Sequence, residues 1–226
     1  MNIEVALRQG TTTAILYKSL LEVTPPAALI LAHGAGAGQR QPFMVGFARA
    51  LSERGLDVMT FNFLYTEQGR RVPDRMPQLV ECYDAVIAAA QSQLPSARER
   101  LFIGGKSMGG RAATHVAGSG TVRTDIHGLI LLGYPLHPPG RPDQRRDAHL
   151  PDVKRPMLFV QGSRDTFGTP EELAPVLERL SPRPVLHVVE GGDHSFKLAG
   201  RGAASRQAAV YTEIQDLITR FASEAR

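Results

Sequence analysis

Leu101-Phe102-Ile103-Gly104-Gly105-Lys106-Ser107-Met108-Gly109-Gly110-Arg111-Ala112-Ala113 reads as a short apolar strand, a glycine turn with a serine at its tip, and the start of a helix. Residues 105–109 have the pattern G-x-S-x-G. A strand that reverses into a helix within a few residues brings the two backbones close together. The positions two before and two after the serine then have no room for a Cβ. Ser107 itself is predicted to be strained, with its hydroxyl held beyond the end of the strand. The backbone N–H of Met108, opening the helix, points towards the same space. The pentapeptide alone is not specific, because a glycine-rich strand-to-helix turn can equally cradle a phosphate.

Two later stretches separate these readings. Asp165 follows the apolar run Met157 to Gly162, and His194 follows Val185 to Val189, in Gly191-Gly192-Asp193-His194-Ser195-Phe196. Alone, Asp165 reads as a turn aspartate and His194 as a plain loop histidine. Together with Ser107 they form the order Ser, Asp, His, each just past the end of its own strand. The chemistry needs each type. A serine hydroxyl is a poor nucleophile near neutral pH; an imidazole can take its proton, and a carboxylate holds the imidazole tautomer. Asp193 competes for the acid's role, but as the immediate neighbour of His194 it is badly placed to reach Nδ1.

Working outward, Ile3 to Leu7 and Thr12 to Tyr17 read as a hairpin at a sheet edge. Ala28 to Ala32 is a continuous apolar run, expected of a strand buried on both faces, and it ends in His33-Gly34-Ala35-Gly36-Ala37-Gly38. Helical spacing runs from Pro42 to Arg54, Gln78 to Leu94, Met108 to Val116, Glu171 to Leu180 and Ala203 to Ala222. Thr169-Pro170 opens the fourth of these as cap and first-turn proline. Strands are predicted at Val58 to Tyr65, Leu101 to Gly104, Gly128 to Gly133, Met157 to Gly162 and Val185 to Val189. Thr66 to Met76 reads as loop, and Pro135 to Pro151 as loop with room for one short helix. From residue 28 the alternation predicts an α/β fold, a mainly parallel central sheet with helices on both faces, in one domain over residues 1–226. Ligands of such sheets sit beyond the carboxyl ends of the strands, where the three residues fall.

The composition is that of an ordinary globular chain: 226 residues, 42% hydrophobic and 21% charged, with a net charge of +4. The basic residues are nearly all arginine and scattered, so no nucleic-acid stripe forms and no nucleic-acid partner is expected. The single cysteine, Cys82, permits no intrachain disulfide and reads as a buried structural thiol. No secretory signal and no membrane-length apolar run is visible, so a cytoplasmic location without membrane attachment is expected. No metal cluster or dinucleotide fingerprint stands out, and no cofactor is expected.

These residues carry a resemblance. The chain resembles an α/β-hydrolase from residue 3 to its end. More narrowly, it is similar to the small lid-less hydrolases grouped with dienelactone hydrolases and with the testis-expressed protein thirty and KAT-complex subunit type. The shared stretches are His33 to Gly36, Gly69 to Arg75, Gly104 to Arg111, Leu132 to Gly140, Gln161 to Asp165 and Asp193 to Phe196. Two departures stand out: dienelactone hydrolases proper carry cysteine at the position of Ser107, and Leu64 stands where the narrower group usually has proline. The resemblance supports Ser107, Asp165 and His194 as a catalytic triad. An oxyanion hole is expected from Met108 N–H and one donor of the glycine loop, at Ala35 or its neighbour Gly36.

The Pro135 to Arg155 connection is too short for a full cap domain, so a shallow open pocket is expected. Gly34, Gly36, Lys106, Tyr134, His137 and Phe167 are the candidate substrate-binding residues, with Phe63, Tyr65 and Met108 as further wall. Lys106, Arg70, Arg71, Arg111 and Lys197 fall near its rim. Their plain reading is solvation or pairing with loop carboxylates; the functional one is attraction of a phosphate- or carboxylate-bearing acyl group. The expected activity is serine hydrolysis of a small or medium acyl ester or thioester. The alternative is a non-catalytic interaction module docking through Pro135 to Arg155. Oligomeric state is left open.

Overall fold

The computed structural model describes residues 1–119 and 126–225. Eight strands form one sheet: β1 (Asn2–Leu7), β2 (Gly10–Tyr17), β3 (Ala27–Ala32), β4 (Leu56–Phe61), β5 (Leu101–Lys106), β6 (Ile126–Leu132), β7 (Met157–Gly162) and β8 (Val185–Val189). Their order across the sheet is β1-β2-β4-β3-β5-β6-β7-β8. β1 and β2 form the antiparallel edge hairpin, and β3 to β8 run parallel.

Alternation along β3 shows why the sheet needs cover on both sides. Ala28, Ile30 and Ala32 join one apolar core, and Ala27, Leu29 and Leu31 join the other. The first core is closed by α3 (Met76–Gln93), α5 (Met108–Gly118) and α6 (Pro170–Leu177), the second by α1 (Pro42–Ser52) and α7 (Ala203–Glu224). Thr169 caps α6 as its sequence suggests: its hydroxyl accepts the Glu172 N–H, and the Glu172 carboxylate accepts the Thr169 N–H. Cys82 is buried on α3, where desolvation pushes its thiol up to about 12.

Two short helices depart from the sequence reading. The strand expected from Val58 to Tyr65 ends at Phe61, and Leu64–Glu67 is a helical turn, α2. The reason is tertiary: the Phe63 N–H goes to the buried His33 ring at 3.1 Å instead of to a neighbouring strand. Pro95–Glu99 forms α4, with proline in the first turn as helices tolerate. The β6-to-β7 connection holds only a 3₁₀ turn at Leu150–Asp152, so no cap domain covers the carboxyl ends of the strands. Among the described residues no helix is long and apolar enough to cross a membrane.

Candidate active site

Ser107 sits between β5 and α5 with φ 51° and ψ −115°, a left-handed conformation that a side-chain-bearing residue adopts only under constraint. The constraint is close packing. A Cβ on Gly105 or on Gly109 would run into the carbonyl oxygen of Ala32, because both backbones pass against the end of β3. The Ser107 N–H is tied to Leu132 O at 2.9 Å, and Ser107 O accepts the Arg111 N–H at 3.0 Å. The hydroxyl therefore projects beyond the sheet.

His194 Nε2 lies 2.8 Å from Ser107 Oγ, and its Nδ1 lies 2.8 Å from Asp165 Oδ2. An ionised carboxylate can only accept, so Nδ1 carries the hydrogen and Nε2 presents its lone pair to the serine hydroxyl. Asp165 is 1% exposed and held from both sides. Its Oδ1 accepts the Phe167 N–H at 2.8 Å, and its Oδ2 accepts from Gln161 Nε2 at 2.8 Å. The Phe167 ring stacks on His194 at 4.1 Å between centroids. Asp193 does not compete for the imidazole: its Oδ1 accepts the N–H groups of Ser195 and Lys197 and shapes the loop.

The glycine loop after β3 is fixed by His33, which is fully buried. Its Nε2 accepts the Phe63 N–H, so Nδ1 holds the hydrogen and donates to Gly34 O at 2.8 Å. Burial pulls the His33 pKa down, which favours this neutral form. Ala37 N–H closes a turn on Gly34 O, with Gly36 in it at φ 68°, a value suited to glycine. Gly34 lies against the β5-to-α5 turn: a Cβ there would sit 3.5 Å from Ser107 Cβ. Met108 is the first residue of α5, where an N–H has no partner within the helix.

These elements border an open cleft of about 700 Å³. Gly34, Ala35, Lys106, Ser107, Met108, Phe167 and His194 line it. Other candidates lie elsewhere. Tyr134 is buried beneath the cleft, 1% exposed, its hydroxyl donating to Arg146 O at 2.6 Å. His137 is buried too, between Pro138 O at 2.9 Å and the Glu172 carboxylate at 3.2 Å. Phe63 and Tyr65 pack edge-on behind His33 rather than walling the cleft. Gly36 faces solvent outside the lining. Lys106 borders the cleft, but its ammonium turns inward and donates to His194 O at 2.5 Å. Burial pulls that ammonium down to about 8, against the attraction of Asp165 and Asp193. Of the expected rim cations, Arg70 pairs with Asp74 at 2.6 Å, and neither Arg71 nor Lys197 lines the cleft; only Arg111, beside Lys106, does so.

One residue of the site escaped the sequence reading. Gln161, fully buried at the end of β7, accepts the Tyr134 N–H at 2.8 Å and donates to Asp165 and to Gly168 O at 2.7 Å. Its signal was a polar side chain in an otherwise apolar central strand, four residues before Asp165.

Residues 25–223 match the model of a family described as an alpha/beta hydrolase domain. Among solved structures, the fold is similar to that of XC6422 from Xanthomonas campestris, described as an α/β serine hydrolase without lid. The two are 21% identical, the match covers 98% of this chain and 94% of that one, and the TM-score is 0.75. An alpha-beta serine hydrolase homologue from Coxiella burnetii is 20% identical over 97% of this chain and 96% of its own, at TM-score 0.75. A dienelactone hydrolase from Anabaena variabilis is 20% identical over 100% and 98%, at TM-score 0.76.

Proposed function

The chain belongs to the alpha/beta hydrolase domain family, and from that premise we propose that it is a serine hydrolase cleaving a small or medium acyl ester or thioester through an acyl-enzyme on Ser107. The observation that carries this reading is the hydrogen-bonded line from Ser107 Oγ through His194 to Asp165, with both links at 2.8 Å.

Ser107 Oγ attacks the acyl carbonyl carbon while His194 Nε2 takes the hydroxyl proton. The carbonyl oxygen becomes an oxyanion, held by the N–H groups of Met108 and Ala35; each such donor contributes about 10²–10³ in rate. The tetrahedral intermediate collapses, the bond to the leaving oxygen or sulfur breaks, and His194 gives that atom its proton. A water then enters, loses a proton to His194 and attacks the Ser107 ester; as the acyl–Oγ bond breaks, His194 returns the proton to Ser107 Oγ and the acid is released. Asp165 keeps the imidazole oriented and stabilises its cation without taking the proton itself. The absence of a cap suits a substrate that enters from solvent onto Phe167 and Met108.

The test is activity-based labelling. A fluorophosphonate should label the wild-type chain at Ser107, p-nitrophenyl acetate should give a burst of p-nitrophenol, and Ser107→Ala should do neither. An unlabelled wild-type chain would overturn the reading and favour a docking module.

A further inference from the structure

Three arginines line the cleft that holds Ser107; Arg75 is exposed to solvent, whereas Arg111 and Arg146 are half-buried. Arg111 lies one helical turn beyond Ser107 on α5, its N–H on Ser107 O, and its side chain lines the cleft. Arg146 comes from the β6-to-β7 connection. Its backbone is pinned there by its N–H on Leu136 O at 2.9 Å and by the Tyr134 hydroxyl on its own carbonyl, and its side chain lines the same cleft. The nearby carboxylates are engaged elsewhere: Asp147 by Arg145 at 2.8 Å, Asp74 by Arg70 at 2.6 Å, and Glu172 by His137. Among the described residues no carboxylate pairs with Arg111 or Arg146. Arg111 Nε is buried without any hydrogen-bond partner.

That arrangement costs the folded chain free energy. A buried guanidinium N–H without an acceptor is unfavourable, and so are two like charges sharing one cleft. Burial, and then the charge of Arg146, pull Arg111 below its ordinary range, against the neighbouring Tyr134. A planar oxyanion in the cleft, meeting the outer nitrogens of the two forks, would offset their mutual repulsion.

We infer that Arg111 and Arg146 form the subsite for an anionic group carried by the substrate, a carboxylate or phosphate held a short chain away from the scissile carbonyl. Arg111 is four residues along the helix from Ser107, a rise of about 6 Å. A linker of three or four bonds from the carbonyl reaches that distance, as in a half-ester of a short dicarboxylic acid. This inference rests on the hydrolase reading for the substrate's reacting end, but the anion site itself does not require turnover.

The test has two arms. In the first, calorimetric titration at low salt uses succinate and inorganic phosphate as probes. At least one should bind the wild-type chain, and its affinity should fall at least about tenfold in Arg111→Gln/Arg146→Gln. Which probe binds assigns the anion. If neither binds, or the double variant binds equally well, the subsite is overturned whatever the fate of Ser107. In the second arm, kcat/KM for monoethyl glutarate is divided by that for neutral ethyl pentanoate. The ratio should favour the half-ester in the wild-type chain and fall at least about tenfold in the double variant. A ratio unchanged by the substitutions overturns the inference while leaving the serine chemistry standing. Should the double variant not fold, Arg146→Gln, on the connection rather than the helix, carries both comparisons.

Discussion

Lys106, the residue before Ser107, reaches to the residue whose ring meets the serine hydroxyl: its Nζ donates to the backbone carbonyl of His194 at 2.5 Å. The chain is shaped around this bond. A Cβ on Gly133 would lie 2.8 Å from Lys106 Nζ and 2.9 Å from His194 O, so the end of β6 leaves room for it. Lys106 thus ties the end of β5 to the His194 loop.

Lys106→Met should loosen the His194 loop and lower kcat by about ten- to a hundredfold, with KM for a neutral ester changing less. A pH readout separates this from simple damage. The ammonium sits at about 8 in the folded chain against an ordinary 10.5. Between those values the unfolded chain holds one proton more, so stability rises with pH across that window and this lysine contributes no slope below it. Urea unfolding at a series of pH values should show that rise in wild type and lose it in Lys106→Met.

Gln161→Leu should remove the donor to Asp165 and strand the Tyr134 N–H and Gly168 O in the interior. The expected cost is about 2–4 kcal/mol in urea unfolding, from several buried groups left unpaired. Fluorophosphonate labelling of Ser107 should slow in the same variant, because Asp165 keeps only the Phe167 N–H and His194. Labelling at the wild-type rate would mean that Gln161 braces the fold without tuning the acid.

Gly109→Ala tests the packing of the β5-to-α5 turn around Ser107. The added methyl has nowhere to go but into the Ala32 and His33 carbonyls, which are backbone and cannot turn aside. Destabilisation of about 3 kcal/mol or more is expected by thermal or urea unfolding. Gly46→Ala, on α1 with open space around its Cβ, is the control and should be neutral or slightly stabilising.

His115 and His149 stack at 3.6 Å between ring centroids; burial first, then Arg111 for His115, and His115 and Arg111 against the pull of Asp147 for His149, bring both down to about 4. Their ordinary value is 6.5. Between 6.5 and 4 the unfolded chain therefore binds more protons, and stability falls as pH drops through that window. His115→Gln/His149→Gln should flatten that acid limb in a pH series of melting temperatures. An unchanged limb would assign the acid sensitivity to other groups.

The meeting of Ser107, His194 and Asp165 was legible along the chain because each of them has a local mark: a glycine-framed serine, an aspartate in a tight turn and a histidine in a glycine loop, each after an apolar strand. The parallel alternation of strands and helices then puts those three ends on one side of the sheet. The short helices α2 and α4 were missed because they lack an amphipathic repeat of their own; Pro95 at a first-turn position was the only local sign of α4.

The direction taken by long side chains lay beyond local reading. Lys106, Tyr134 and His137 all follow or close strand ends, yet Lys106 turns its ammonium to His194 O while the other two are buried and outside the cleft lining. Lys106 and Tyr134 take partners 88 and 12 residues away, and His137, besides its neighbour Pro138, meets Glu172 35 residues away, so local sequence does not encode these meetings. Sequence by itself determined the order of strands, the strained serine and the three residues beyond the strand ends, since these depend on backbone sterics and hydrophobic periodicity. Only tertiary packing decided which polar tips face the cleft, because a flexible side chain goes wherever a distant chain segment offers a hydrogen bond that water would otherwise supply.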